Sequence, residues 1–310
     1  MSERRKILVT GGAGFIGSHT ADRLIEKGYD IAVVDDLSSG YIKNINPKAV
    51  FYKTDITDIK QLKKIFGKEM PSEVIHAAAQ IKVLDSISNP IYDAKVNILG
   101  GLNVLECCKK FKTKKIVYLS TGGALYGNPE YVPVDEDHPI NPISPYGVSK
   151  YTLERYLYYY FKNFCIDYIS LRFSNVYGPR DEANSNHVIP LFVHNLLNKK
   201  SPYITGDGSQ GRDFIYVRDV VNAIIRSLKK KTKDNVLNIG TEKIISINSL
   251  YDEIRGMMKL RIKPKYVKER PGEVRQIYLS AKRAEDQLGW KPNTGLRKGL
   301  KETIKWFKEK

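Results

Sequence analysis

Short apolar runs recur through the first half of the chain, each followed by a stretch with helical spacing. KILVTG (6–11), DIAVVDD (30–36), AVFYKTD (49–55), EVIHAAA (73–79) and KIVYLST (115–121) are continuous rather than alternating, as strands buried on both faces are. Between them lie amphipathic segments such as IGSHTADRLIEKG and NILGGLNVLECCKKF. Strand and helix alternating in this way predict an α/β fold with a doubly wound parallel sheet of the Rossmann type. A long helix is expected to open near Tyr146, followed by one further strand over IDYISLRFSNVYG (166–178).

Beyond residue 178 the pattern loosens. GPRDEANSNHVIP, TGDGSQGRD and KERPGEVRQ are loop-rich and separate shorter elements, which predicts a smaller, irregular α/β lobe over the strand ends, where sheets of this kind bind ligands. NVLNIG (235–240) is expected to return one strand to the main sheet. The expected division is therefore residues 1–174, with that returning strand, and residues 175–310.

Charge changes the picture only a little. The net charge is +17, but the lysines are scattered, with runs only at KKKTK (229–233) and near the C-terminus. No zinc-finger spacing or RNP-type aromatic pattern accompanies them, so a solvated basic surface is expected and no nucleic acid. No apolar run approaches the roughly 18 residues that span a bilayer, and ILV near the N-terminus is too short for a signal peptide. The expectation is a cytoplasmic protein without a membrane partner. Cys107, Cys108 and Cys165 have neither metal-ligand nor disulfide spacing, and the adjacent pair is expected on a helix as small buried hydrophobes.

The first candidate chemistry lies in ILVTGGAGFIGSH. Gly11, Gly12, Gly14 and Gly17 stand between a strand and a helix, where bare backbone can approach a pyrophosphate at the helix N-terminus. Asp35 ends the next strand, 18 residues after Gly17, and is followed by Asp36. An acid there accepts from ribose hydroxyls and repels a 2′-phosphate, which favours NAD over NADP.

The second is SPYGVSK, in which Tyr146 and Lys150 are one helical turn apart. With TGGAGFIGSH, TDITD, HAAAQ, STGGALYG, LRFSNVYGPR, GRDFIYVRD, NIG and RPGEV, the chain resembles the extended short-chain dehydrogenase/reductases nearly end to end. Within that group it is most similar to the UDP-glucose 4-epimerases. The resemblance implies an NAD cofactor, a UDP-sugar substrate, and a homodimer through the two long helices beginning near residues 93 and 146. Tyr146 is implied as general acid–base with Lys150 as its partner, the lysine and the positive nicotinamide ring together bringing the phenol's pKa towards the working range. Thr121 is implied as the hydroxyl that binds the substrate oxygen, with Ser120 an open alternative. Phe15 and Ile16 would line the pyrophosphate turn, Asp55 and Ile56 would flank the adenine, and Ala78 and Gln80 would lie near the cofactor's centre. Asn97 would play a structural or proton-relay part.

The resemblance also implies substrate contacts from Asn175, Asn186 and Val188, diphosphate contacts from Arg212 and Arg270, and a ribose contact from Glu273. Tyr177 is expected beside the nicotinamide. The position that gates the sugar pocket falls near Ile277, with Gln276 and Tyr278 as neighbours one gap away. Related dehydratases and decarboxylases place an acid after the hydroxyl residue, whereas Thr121 is followed by Gly122 and Gly123. Epimerisation at carbon 4 of a UDP-hexose is thus the favoured reading. A UDP-N-acetylglucosamine 4-epimerase, a 4,6-dehydratase, a 4-keto-sugar reductase and a catalytically silent NAD-binding regulator are the rivals.

Overall fold

A computed structural model describes residues 5–269 and 274–310. Its centre is a seven-stranded sheet, parallel throughout. The first six strands in chain order are β1 (Lys6–Thr10), β2 (Asp30–Asp35), β3 (Val50–Lys53), β4 (Glu73–His76), β5 (Lys115–Thr121) and β6 (Asp167–Phe173). Val236–Ile239 joins at the edge, giving the spatial order 236–239, β6, β5, β4, β1, β2, β3. The order reverses direction between β1 and β4, which opens a crevice above their C-terminal ends.

Alternation along the strands feeds two cores. Ile7 and Val9 of β1 face one layer and Leu8 faces the other. The first layer includes Ala21 and Leu24 of α1 (Phe15–Glu26). The second is closed by α2 (Ile59–Glu69), by a helix running from residue 90 to 110, and by α6 (Pro145–Phe164). Cys107 and Cys108 are buried there, as expected. Ahead of that helix stands the short α3 (Val83–Ser88). The helix itself reads α4 (Pro90–Ala94), a π-helical turn (Lys95–Gly100) and α5 (Gly101–Lys110). α6 starts cleanly because Ser144 caps it, accepting from the Gly147 amide at 3.2 Å, and Pro145 occupies its first turn.

Two expectations change. Residues 166–178 form two strands, because β7 (Asn175–Tyr177) leaves the main sheet and pairs with Phe214–Tyr216. β3 is an edge strand with a half-exposed face, not one buried on both sides. Past β7 the chain forms small sheets, one of which places Gly211–Arg212 between Ile245–Ser246 and Gln276–Ile277. Among the described residues no helix is long and apolar enough to cross a membrane, and no metal-binding cluster is present.

Candidate active site

The glycine turn is built by close approach. Gly11 has φ of +70°, and a Cβ there would lie 2.6 Å from the Ala78 amide nitrogen. A Cβ on Gly17 would lie 2.1 Å from the Gly11 carbonyl oxygen, so helix and turn touch only because residue 17 is glycine. Gly14 is the N-cap of α1 and offers no side chain to it, and the first turn, beginning Phe15-Ile16-Gly17, holds no acid. An uncapped positive helix end of this kind suits a pyrophosphate.

Asp35 is buried at the end of β2, where one carboxylate oxygen accepts from the Ala13 amide at 2.9 Å and the other from Leu37 at 2.8 Å. Burial pushes its pKa up, partly opposed by those two amides. Asp36 instead folds back on Ser38, accepting from its amide and hydroxyl. One strand further out, Asp55 accepts from the Thr57 amide and Ile56 is buried against Gly100. Glycine turn, Asp35, Asp55 and Ile56 follow the C-terminal ends of β1, β2 and β3, the edge where a dinucleotide's adenosine half would lie.

The other half of that edge, beyond β4 and β5, carries the second constellation. The Ala78 amide donates to Thr10 Oγ1 at 3.3 Å. Gln80 and Asn97 exchange bonds, Gln80 N–H to Asn97 Oδ1 at 2.8 Å and Asn97 Nδ2 to the Gln80 carbonyl at 2.9 Å. Asn97 Nδ2 also reaches Ser149 Oγ at 3.2 Å, and that hydroxyl donates to the Tyr146 carbonyl at 3.0 Å. The π-helical turn that presents Asn97 thereby pins the loop after β4 to the first turns of α6. Gly147 lets α6 approach the segment that follows β5, since a Cβ there would lie 2.4 Å from the Ala124 carbonyl oxygen.

Tyr146 is half-buried with its phenol pushed well above the ordinary value, chiefly by burial and then by the Asp93 carboxylate, while the Thr121 side chain pulls the other way. The Thr121 side chain thus lies beside the Tyr146 phenol. Ser120 next to it is buried, and its Oγ has no hydrogen-bond partner among the described residues. Lys150 is also buried, donating from Nζ to the Leu119 carbonyl at 2.6 Å and lying 4.3 Å from the centre of the Tyr118 ring. Burial lowers its pKa to about 7, against the raising influence of Glu154 and Asp93. Its ammonium is turned to a backbone carbonyl, and burial dominates both groups.

Asp93 was not singled out from the sequence. It is almost wholly buried, accepts from Gln80 and Asn97 through Oδ1 at 2.9 and 3.0 Å, and has no partner for Oδ2 among the described residues. Its spacing four residues before Asn97 on a helix was the available signal.

The substrate candidates are distributed along the second lobe. Asn175 is exposed, with its amides on the Asp213 carbonyl beside Arg212. Arg212 is half-buried and donates from Nη1 to its neighbour's carbonyl, Gly211, at 2.9 Å. Asn186 is exposed in a left-handed conformation, and Val188 opens the helix Val188–Leu197. Among the described residues no hydrogen bond joins Asn186 or Val188 to the Tyr146–Lys150 pair. Arg270 and Glu273 lie outside the described residues. Tyr177 is turned inward, its ring packed on Tyr216 and its hydroxyl on the Leu296 carbonyl at 3.2 Å. It belongs to the core because the C-terminal helix Leu296–Glu309 covers it. Ile277 is buried with Tyr126, Val134 and Leu279.

A glycine turn at the switch point of a parallel sheet, with a tyrosine–lysine helix beside it, defines an enzyme of the short-chain dehydrogenase/reductase type. The family model described as "NAD dependent epimerase/dehydratase family" matches residues 7–240, and the chain belongs to that family. A Methanocaldococcus jannaschii protein, provisionally named a UDP-glucose 4-epimerase, is 50% identical over 303 residues, covering 97% of this chain and 98% of that one. The structure of UDP-glucose 4-epimerase with UDP-glucose from Thermotoga maritima is similar at TM-score 0.96 and 42% identity, covering 98% and 99% of the two chains. UDP-N-acetylglucosamine 4-epimerase from Methanobrevibacter ruminantium M1, in complex with UDP-N-acetylmuramic acid, is similar at TM-score 0.92 and 35% identity, covering 99% of each chain. This chain is accordingly an NAD-dependent nucleotide-sugar epimerase.

Proposed function

We propose that the chain inverts carbon 4 of a UDP-hexose, interconverting UDP-glucose and UDP-galactose through a transient 4-keto sugar. The observation that carries this reading is the convergence of Thr121, Tyr146 and Lys150 at the end of β5, across the crevice from the glycine turn. The similarity to an epimerase bound to UDP-glucose supports the choice of sugar.

In this reading Gly11, Gly14, Phe15, Ile16 and Gly17 hold the cofactor's pyrophosphate. Asp35 and Asp36 face its ribose side, Asp55 and Ile56 its adenine, and Ala78 and Gln80 its centre. Bound NAD supplies a reversible hydride acceptor and a positive ring that favours the Tyr146 phenolate. Tyr146 takes the proton of the 4-hydroxyl while Thr121 bonds the same oxygen, and Lys150 steadies the ribose. The 4-keto sugar then turns about its diphosphate link, and Tyr146 returns the proton on the second pass. Asn175, Asn186, Val188 and Arg212, with Arg270 and Glu273, grip the nucleotide so that only the sugar turns. Residues 1–174 with the returning strand form the NAD-binding domain, and residues 175–310 mainly bind the nucleotide sugar.

Screening UDP-glucose, UDP-galactose and their N-acetyl counterparts side by side tests the substrate. Turnover of none of them would sink the proposal. Asp35→Ala narrows the NAD-over-NADP affinity ratio by at least about tenfold, because removing one like-charge contact at an effective dielectric near 20 is worth more than about 1.4 kcal/mol. It also weakens NAD itself, since the Ala13 and Leu37 amides lose their acceptor. Equal affinity of the parent protein for the two cofactors, by direct titration, contradicts the assignment.

An N-acetyl sugar is the second reading, favoured by the Methanobrevibacter relative. Ile277 is intermediate in size, so the glucose and galactose forms are preferred and the N-acetyl forms are poor substrates. Ile277→Ala raises UDP-N-acetylglucosamine turnover relative to UDP-glucose by relieving an overpacking cost of roughly 1–3 kcal/mol. An unchanged ratio moves the gate elsewhere.

We further propose a homodimer through α4–α5 and α6, supported by apolar side chains standing in solvent there: Ile91 is 81% exposed, Leu99 57%, Tyr159 51% and Val148 48%. The YLYYYF segment (156–161) is only partly packing, because Leu157 and Tyr160 are buried and Tyr156, Tyr158 and Tyr159 are not. A monomer mass in sedimentation at micromolar concentration would refute the dimer.

A further inference from the structure

The basic run KKKTK (229–233) has no part in the chemistry above. It borders a cleft of about 530 Å³ that reaches the N-terminal ends of β5, β6 and strand 236–239, the sheet edge opposite Thr121. We infer that this cleft is a binding site for a compact polyanion carrying two or three phosphate groups.

The argument rests on which charges are already committed. Three carboxylates line the cleft. Glu136 accepts from the Asn238 amide at 2.6 Å and lies 3.5 Å from Arg283. Asp234 accepts from Gln287 at 2.6 Å, with Arg283 at 3.9 Å. Asp167 stands opposite Lys115 in the register of β5 and β6. Arg172 in the wall is likewise consumed by Glu154. The cations at the mouth are not. Arg155 and Lys162 project from α6, Lys231 and Lys233 from the facing turn, and none of the four has an ion-pair partner among the described residues.

Two features hold these cations together. Arg155 and Lys162 gather at one ring, 5.2 and 5.5 Å from the centre of Tyr158. Lys115, at the inner end, is fixed by donating to the Lys230 carbonyl at 2.8 Å. Its pKa is lowered, first by burial, and among the charges by Lys231 and Arg5 against Asp167 and Glu73. A ligand with several closely spaced negative charges relieves this repulsion, and it does so on two elements at once. A single monoanion would reach only one bank.

The test uses protein saturated with NAD and UDP, so that the epimerase site is filled. Inorganic tripolyphosphate is then titrated calorimetrically at about 0.1 M salt, where exposed charges further apart than about 10 Å are screened. One equivalent per chain is expected to bind. The triple variant Arg155→Gln/Lys231→Gln/Lys233→Gln weakens it at least about tenfold, the loss of roughly one charge-assisted contact or more. A control triple on the C-terminal helix, Lys298→Gln/Lys301→Gln/Lys308→Gln, leaves affinity unchanged. No binding to the saturated protein, or an equal loss in the two triples, overturns the proposal. So does binding of a single-stranded RNA oligonucleotide with no response to tripolyphosphate, which would make this face a nucleic-acid surface.

Discussion

Replacing Tyr146 by Phe lowers turnover by at least about 100-fold, the scale on which a positioned general acid–base acts. Affinity for the UDP-sugar stays near that of the parent. The ring remains, and the bonds that fix the start of α6 use the Tyr146 backbone, through Ser149 Oγ at 3.0 Å and Ser86 Oγ at 3.2 Å, so the site keeps its shape. Only the proton carrier is lost. Burial and Asp93 push this phenol above its ordinary range, so the ionised form depends on what is bound beside it. Steady-state kcat with an independent binding titration checks the prediction, and near-normal turnover would remove Tyr146 from the chemistry.

Glu154→Ala destabilises the fold by roughly 3–5 kcal/mol, the range for stranding one member of a buried ion pair. Glu154 and Arg172 are almost fully enclosed, with side-chain exposures of 3% and 4%. The guanidinium donates Nη2 to Oε2 at 2.6 Å and Nε to both carboxylate oxygens, while Nη1 donates to Tyr126 at 2.9 Å. Ser170 donates to Oε1 at 2.8 Å. Removing the carboxylate leaves a buried cation that cannot discharge itself. Arg172→Met added to Glu154→Ala recovers much of the loss, because the stranded charge is gone. Urea midpoints with unchanged slopes measure both variants. A single-variant loss under about 1 kcal/mol, the scale of an exposed pair, contradicts the account.

Much of the fold could be read from local pattern because a parallel sheet buried on both faces leaves uninterrupted apolar runs, as at Ile7–Val9 and Ile31–Val34. The return of 236–239 to the sheet was legible for the same reason. What local pattern cannot carry is the partner. Residues 166–178 read as one strand, yet a change of pairing at Ser174 divides them between two sheets. β3 looked internal because its edge position depends on strand order. In the site, Gly11 and Gly17 were visible because turn geometry dictates their identity, and Asp35 because a ribose calls for an acid at the end of the second strand. Asp93 was not, since a buried acid on an amphipathic helix looks like a solvated one until its neighbours are known. The same limit hid Tyr177, whose covering helix is more than a hundred residues away in sequence, and the turning of Lys150 to Leu119.

The central claim is that the proton at oxygen passes through Tyr146 while the hydrogen on carbon 4 never meets solvent. Conversion of UDP-galactose in heavy water, without added cofactor and followed by mass and NMR analysis of the product, tests it directly. The account predicts UDP-glucose carrying no solvent deuterium at carbon 4. One deuterium there, or no conversion by protein shown to retain NAD, would contradict it.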